Sequence, residues 1–215
     1  MNPVDPAQVA TRAAAVRSRL DAAGGHDVQI VAVTKTFDAS AVDAAVAAGL
    51  TDVGENYAQE AAAKLVDITT APTVHFIGRL QRNKVRLLAP FVDIWQSVDR
   101  PELVREIAKR APGAKIMVQV DISDEEAKGG VAPAETESLV EVASEAGLEV
   151  VGLMGVALLA EPAAARPGFA TLRRLVDDLG LHHCSMGMTA DLEIAVDEGT
   201  TMVRVGRDLF GERHR

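Results

Sequence analysis

The sequence has almost none of the features that a disulfide, a nucleic-acid interface or a membrane span would require. Its 215 residues include one cysteine, Cys184, and a single cysteine cannot close a disulfide within the chain. Only 3% of the residues are aromatic and the net charge is −9, which disfavours both base stacking and attraction to phosphate backbones. No apolar run approaches the roughly 20 residues of a transmembrane helix, and no N-terminal segment resembles a signal peptide. We therefore expect a cytoplasmic protein without nucleic-acid or membrane partners.

The sequence does contain enough apolar material for one large core, since 48% of its residues are hydrophobic. A helical pattern that ends at Gly24-Gly25 is followed by β-like runs that alternate with further helical patterns. Strands are predicted at 28–35, 52–55, 73–78, 94–98, 115–120, 149–154, 182–186 and 201–205. Helices are predicted at 39–48, 59–66, 82–88, 101–110, 133–146, 169–179 and 190–198, with a final turn at 208–211.

Alternation of this kind predicts an α/β fold, a single-domain (β/α)8 barrel over residues 1–215 with an added N-terminal helix. The alternative is an open doubly wound sheet, which normally carries a G-x-G-x-x-G phosphate loop after its first strand. Here the first strand ends in Thr34-Lys35-Thr36 instead. The barrel is therefore favoured.

Lys35 is the most informative residue of the chain because it ends a buried strand. Partial burial lowers the pKa of a lysine, and a neutral amine can form a Schiff base with an aldehyde. The other interpretation is a lysine that only reaches solvent at the strand end. The segment alone does not decide between them, and Lys128, flanked by glycines, is a second candidate amine near the barrel mouth.

The seventh and eighth strands end in segments that suit an anion. Loops at this place in a barrel often bind phosphate, because glycines let backbone N–H groups approach the oxygens and a serine adds a hydroxyl donor. Ser185 and Gly187 are expected to open one helix, and Gly206 with Arg207 to open the final turn. Each segment taken alone also fits an ordinary turn.

Arg204 shares its face of the eighth strand with Met202 and Gly206 if the strand alternates. An arginine that points into the barrel would require a ligand or a carboxylate to compensate for its burial, whereas an outward arginine would pair with a helix carboxylate. We interpret His75 as a hydrogen-bonded structural residue and Cys184 as a core residue.

Two further groups of residues receive structural interpretations. The adjacent His182 and His183 face opposite ways on a strand, so no metal site is expected there. The basic residues that follow the third strand favour a solvated helix face over an anion-binding patch; they are Arg79, Arg82, Lys84 and Arg86.

Taken together, the motifs closely resemble those of the YggS-like pyridoxal phosphate homeostasis proteins over nearly the whole chain. They are the Lys35 strand, Gly54-Glu55-Asn56-Tyr57, H-F-I-G-x-L-Q-x-N-K from His75 to Lys84, Ser185-Met186-Gly187-Met188 and Met202-Val203-Arg204-Val205-Gly206. The resemblance implies a barrel like the N-terminal domain of alanine racemase, a fold type III protein, with pyridoxal 5′-phosphate (PLP) held as a Schiff base on Lys35.

The resemblance also implies the places of the other site residues. Asn56 would lie beside the cofactor ring, Ser185 and the Met186-Gly187 backbone near the phosphate, and Arg204 against the pyridine nitrogen. Gly206 and the backbone at Arg207 would complete the phosphate site. The chain departs from the family where Arg207 replaces a usual threonine or serine, where Phe37 replaces a usual proline, and at Gly155-Val156-Ala157 after strand six.

The resemblance favours a non-catalytic carrier that binds PLP reversibly, accepts amino acids and delivers PLP to apo-enzymes. PLP chemistry depends on a protonated pyridine nitrogen, and an arginine cannot accept that proton. Related racemases use a second base, a tyrosine supplied by an additional domain and a partner subunit, and Tyr57 is not expected to replace it. Because the sequence lacks that additional domain, we also expect a monomer. The alternatives are a PLP-dependent amino-acid racemase or lyase and a cofactor-free Schiff-base aldolase.

Overall fold

Short apolar segments of the chain form eight parallel strands that hydrogen-bond in sequence order into a closed barrel. The computed structural model describes residues 3–123, 129–157 and 162–211. The strands are β1 Gln29–Val33, β2 Asp52–Glu55, β3 Thr73–Phe76, β4 Ile94–Val98, β5 Lys115–Val120, β6 Glu149–Gly155, β7 His183–Ser185 and β8 Met202–Val205. The predicted (β/α)8 barrel is confirmed.

Helices surround the strands, and an additional helix precedes them. They are α1 Pro6–Ala22, α2 Ala39–Ala47, α3 Ala58–Lys64, α4 Val85–Leu88, α5 Pro101–Arg110, α6 Thr136–Glu145, α7 Arg166–Asp178, α8 Leu192–Asp197 and α9 Arg207–Phe210. Asp5 and Asp38 begin α1 and α2 by accepting hydrogen bonds from backbone N–H groups two residues later. Within the described ranges, no helix combines the length and apolarity needed to cross a bilayer.

Several predicted helices differ from the observed ones at their ends. The segment predicted as a helix at 82–88 is a 3-10 turn, Arg82–Lys84, followed by the four-residue α4. The helix predicted at 133–146 likewise begins as a 3-10 turn, Pro133–Glu135, before α6. First turns often take this tighter form, and periodicity cannot distinguish it from α-helix. The final turn is the short helix α9.

Strand alternation separates two apolar regions. Ile30 and Ala32 of β1 pack outward into the large core between strands and helices. Val31 points the other way, into a smaller cluster with Met117, Met154 and Met202. Since these four residues come from β1, β5, β6 and β8, the smaller cluster fills the barrel interior.

Pairing of β1 with β8 closes the barrel and fixes the inward face of β8. Val31 is in register with Arg204, and Met202 belongs to the interior cluster. Directly paired residues of parallel strands point to the same side of the sheet. Arg204 therefore points into the barrel, which is the first of the two alternatives left open by the sequence, and it shares this face with Met202 as predicted.

Close backbone contact between β6 and β7 depends on Gly152. A Cβ atom at this position would lie 2.1 Å from the carbonyl oxygen of His183, which is in register with Gly152. We expect Gly152→Ala to reduce the free energy of unfolding by roughly 3 kcal/mol or more, because backbone must move to admit the methyl group. Urea unfolding followed by circular dichroism measures this loss.

Gly113→Ala provides the matched control. Gly113 has a φ of 73°, yet a Cβ atom there would meet nothing within 4 Å. Gly113→Ala should therefore lower the free energy of unfolding only by the conformational cost of placing alanine in the left-handed region, about 1–2 kcal/mol. Equal losses in the two variants would contradict the steric argument for Gly152.

Candidate functional site

The carboxyl ends of β1 and β8 bring Lys35 close to Gly206. Lys35 is half-buried and follows β1 after Thr34, while Gly206 directly follows β8. A Cβ atom at Gly206 would lie 3.3 Å from the carbonyl oxygen of Val33. The strand end that carries the lysine and the predicted phosphate segment are thus neighbours at the barrel mouth.

Buried charge holds the residue that precedes Lys35. The Lys64 ammonium group, on α3, donates a 2.7 Å hydrogen bond to the carbonyl oxygen of Thr34. It also lies 2.8 Å from a carboxylate oxygen of Glu55 at the end of β2. Thr34 donates its hydroxyl proton to the same Glu55 oxygen at 2.5 Å. The chain before Lys35 is therefore tied to both β2 and α3.

The residue after Lys35 is held from the same helix. Thr36 has a φ of 71°, a left-handed conformation that is costly for a β-branched residue. Its backbone N–H donates to Glu60 at 2.5 Å, and Glu60 in turn lies 3.2 Å from the Lys64 ammonium group. These contacts stabilise the strained turn and with it the direction of Lys35.

Burial affects Glu55 more strongly than its partners compensate. Burial raises the pKa of Glu55, and the Lys64 ammonium group and the Thr34 hydroxyl only partly oppose that shift. The second Glu55 oxygen, Oε2, and the Thr36 hydroxyl are buried without a hydrogen-bond partner among the described residues. An unpartnered hydroxyl beside Lys35 is a group that a polar ligand could satisfy.

Arg204 is buried, and its guanidinium binds neutral oxygens. Nη1 donates to the Ser185 carbonyl at 2.8 Å and to the Ser185 hydroxyl at 2.7 Å, and Nη2 donates to the Gly155 carbonyl at 2.7 Å. Among the described residues these bonds use three of its five N–H protons and none goes to a carboxylate, so the predicted ligand partner stays a prediction. Burial lowers the pKa of Arg204 to about 10, with Asp191 opposing the shift, so the group stays charged at neutral pH.

The segment after β7 is arranged differently from expectation. Ser185 and Gly187 do not open a helix: α8 begins at Leu192, because the Asp191 carboxylate accepts the Met188 N–H at 2.6 Å in an intervening turn. The Met186 N–H donates to the Met202 carbonyl at 3.1 Å. Gly187 has a φ of 93°, and a Cβ atom there would lie 2.5 Å from Ala195 of α8. This close approach restricts the position to glycine.

The remaining predicted contacts lie around the mouth. Gly206 is the N-terminal cap of α9, as predicted, and the Arg207 side chain is exposed. Asn56, which follows β2, is half-buried. Its backbone packs against Gly78, where a Cβ atom would lie 1.9 Å from the Asn56 carbonyl oxygen. Phe37 packs on Phe210 of α9, with ring centroids 5.4 Å apart. The phenylalanine that replaces the family's proline thus ties the Lys35 turn to α9.

The structure confirms the structural interpretation of His75 and of Cys184. His75 is fully buried between Asp52, 2.9 Å from its Nε2, and Gln96, 2.7 Å from its Nδ1. Cys184 is buried, and its burial raises the pKa of its thiol to about 12. Lys128 lies outside the described residues.

Surface charge and metal ligands add no further candidate. Three of the four basic residues after β3 are exposed and Lys84 is half-buried, as a solvated face requires. The described ranges hold no cluster of three histidine, cysteine or acidic residues suited to a metal ion.

Comparison with known proteins places the chain in a family. The family model for the alanine racemase N-terminal domain matches residues 4–214. The chain belongs to this family. One relative is the pyridoxal phosphate homeostasis protein of Pseudomonas aeruginosa. It is 41% identical to this chain over 216 residues, an alignment that covers 95% of this chain and 94% of the relative.

Two further members of the family support the match. The protein of the same name from Aquifex aeolicus is 38% identical over 203 residues, covering 88% of this chain and 89% of the relative. The structure of PipY from Synechococcus elongatus, solved with PLP bound, superposes on this chain with a TM-score of 0.82 at 33% sequence identity. The superposition covers 94% of this chain and all of PipY. The barrel is therefore that of the alanine racemase N-terminal domain.

Sequence reasoning missed the residues that surround the predicted site. Lys64 and Glu60 lie on an alanine-rich helix and resemble a solvent-exposed i,i+4 pair. Gln96 and Asp52 lie in strands whose apolar neighbours dominated the pattern. The one usable signal was Glu55, because a carboxylate that ends a buried strand in the G-E-N motif requires a partner.

Lys64→Met tests the buried cluster of this family member. We expect it to lower the free energy of unfolding by about 3–5 kcal/mol, because Glu55 remains buried without its cation. The double variant Lys64→Met/Glu55→Gln should recover most of that loss, since no unpaired charge then remains. Urea unfolding measures all three proteins.

Lys109→Met is the control for this series. Lys109 is exposed on α5, and its replacement should change stability by less than about 0.5 kcal/mol. A double variant as unstable as Lys64→Met would show that Lys64 contributes packing rather than charge compensation.

Proposed function

We propose that this chain binds PLP reversibly as a Schiff base on Lys35 and serves intracellular PLP homeostasis in the cytoplasm. The observation that carries the proposal is that the strand end leading to Lys35 lies against Gly206, at the mouth of a barrel whose interior holds Arg204. Relatives named pyridoxal phosphate homeostasis proteins and the PLP-bound PipY support it. In this proposal residues 1–215 act as one PLP-binding unit.

The residues present fit such a cofactor. PLP combines an aldehyde, a ring nitrogen and a phosphate dianion, and the mouth combines an amine, an arginine and glycine-bounded backbone. The Thr36 hydroxyl, on the residue that follows Lys35, is buried without a hydrogen-bond partner among the described residues, and Gly206 lets the backbone after β8 approach the end of β1 closely. The chemistry of the donors therefore matches the chemistry of the ligand.

Each predicted residue receives one role in the proposal. Lys35 supplies the amine, Asn56 contacts the ring, and Arg204 faces the pyridine nitrogen. The backbone at Met186, Gly187, Gly206 and Arg207 surrounds the phosphate, together with Ser185. Because the Ser185 hydroxyl proton and the Met186 N–H are already donated inside the protein, glycine backbone is the larger part of this phosphate site.

Arg204 also supports a carrier rather than an enzyme. PLP supplies an electron sink when its pyridine nitrogen is protonated. Arg204 keeps its own proton at neutral pH, so it donates to that nitrogen and stabilises the unprotonated ring. The sequence's single tyrosine, Tyr57, is 47% exposed and is poorly placed to act as a shielded second base. We propose that amino acids and PLP-dependent apo-enzymes are the partners of a monomer.

Borohydride trapping tests the anchor. Wild type mixed with PLP should show a visible absorbance band and, after reduction and digestion, a PLP label on Lys35. Lys35→Ala should lose both. Lys115→Ala is the matched control, because Lys115 is an exposed strand-end lysine at the opposite, amino-terminal end of the barrel. A label on Lys128 or Lys115 in place of Lys35 would contradict the anchor assignment.

A turnover assay separates the carrier from the enzyme. Purified protein loaded with PLP should not racemise, decarboxylate or deaminate any of the twenty amino acids beyond a PLP-only control, as followed by chiral chromatography. Sustained turnover that Lys35→Ala abolishes would replace the carrier with a racemase or lyase.

A further inference from the structure

An unbroken series of hydrogen-bonded side chains runs around the inside of the barrel from Arg204. Arg204 Nη1 donates to the Ser185 hydroxyl at 2.7 Å, and that hydroxyl donates to Gln96 Oε1 at 2.8 Å. Gln96 Nε2 lies 2.7 Å from His75 Nδ1, and His75 Nε2 lies 2.9 Å from an Asp52 carboxylate oxygen. We call these five residues the interior relay.

The relay is fully enclosed. His75, Gln96 and Ser185 have no exposed surface, and Asp52 and Arg204 are each 5% exposed. Its members come from β2, β3, β4, β7 and β8. Its two ends flank the same residue of β1, because Val31 is in register with both Asp52 and Arg204. The relay thus begins and ends beside one apolar residue of the barrel interior, Val31.

Every bond of the relay has a fixed direction. A guanidinium only donates, so the Ser185 hydroxyl accepts from Arg204 and directs its own proton to Gln96. Gln96 Nε2 then donates one amide proton to His75 Nδ1, which accepts, and the other to Met202 Sδ at 3.2 Å. The imidazole proton is left on Nε2, where the Asp52 carboxylate accepts it. Aligned bonds of this kind polarise one another, and each restricts the rotation of the next group.

The relay leaves part of the arginine available. Two hydrogen bonds to Ser185 and one to the Gly155 carbonyl use three of the five N–H protons of Arg204. The protons on Nε and the second on Nη2 have no hydrogen bond to a described residue. A guanidinium held along one side in this way presents its other donors in a single direction.

We propose that Asp52, His75 and Gln96 are positioning residues that orient Arg204, through Ser185, toward the ring nitrogen of the cofactor. The proposal rests on the proposed function, since it concerns the same site. Loss of Gln96 leaves the Ser185 hydroxyl without its acceptor and His75 without its donor. The Ser185 hydroxyl is then free to rotate, and the guanidinium loses the one of its three hydrogen bonds that goes to a side chain.

Gln96→Leu tests this proposal through cofactor affinity. We expect the PLP dissociation constant, measured by equilibrium dialysis, to rise about tenfold, and the absorbance band of bound PLP to change its pH profile because the donor at the ring nitrogen is displaced. Borohydride should still label Lys35. Ser97→Ala is the control: Ser97 adjoins Gln96, and its hydroxyl is buried without a partner among the described residues. This variant should bind PLP like wild type.

Asp52→Asn keeps the test decisive if Gln96→Leu fails to fold. It preserves shape and removes the charge that terminates the relay, so the dissociation constant should rise about threefold with a changed pH profile. A folded Gln96→Leu, or a folded Asp52→Asn where the leucine variant is lost, with wild-type affinity and an unchanged profile would overturn the proposal.

Nitrogen-15 spectra of the protein without PLP separate this proposal from the proposed function. Wild type should show the His75 ring proton on Nε2 and slowly exchanging Arg204 guanidinium protons, and the relay variants should broaden the arginine signals. A His75 protonated on Nδ1, or arginine signals unchanged in the variants, would refute the relay. Failure of wild type to bind PLP, with these spectra as expected, would refute the proposed function alone.

Discussion

Pairing of the first strand with the last is the constraint on which the rest of this molecule depends. Four residue pairs, from Gln29 with Met202 to Ala32 with Val205, join segments that are far apart in the chain. The pairing closes the barrel and sets which residues of β8 face inward. It also places Val33, at the end of β1 and two residues before Lys35, against Gly206. Such a contact has a large closure entropy, which the two apolar regions must offset on folding.

Two buried polar clusters use this closed frame for different purposes. The cluster around Lys64 controls backbone, because it holds the carbonyl before Lys35 and the N–H after it. The interior relay controls a side chain, the Arg204 guanidinium. Buried charges of this kind add little net stability compared with apolar packing, but they allow few alternative geometries. A site that must present an amine and an arginine at fixed positions benefits from that restriction.

The limits of sequence reasoning follow from the range of each interaction. The barrel was predictable because alternation of strands and helices is a local pattern, and the period of one strand placed Arg204 on the same face as Met202. It could not say that this face points inward, because that depends on pairing with β1. Lys35 could be proposed as the anchor because its motif is local. Lys64 and Gln96 could not be identified, since their roles depend on Thr34 and Ser185, which lie on other elements. The turn before Leu192 was missed because one carboxylate, Asp191, delays the helix.

The burial of Cys184 has a consequence for the proposed binding of an aldehyde. Thiolates, like amines, attack aldehydes, and thiolate rather than thiol is the reactive species. Burial raises the pKa of Cys184 to about 12, so the unreactive thiol form prevails at neutral pH. The sequence has no other cysteine. The proposed reaction with PLP is therefore left to nitrogen rather than to sulfur.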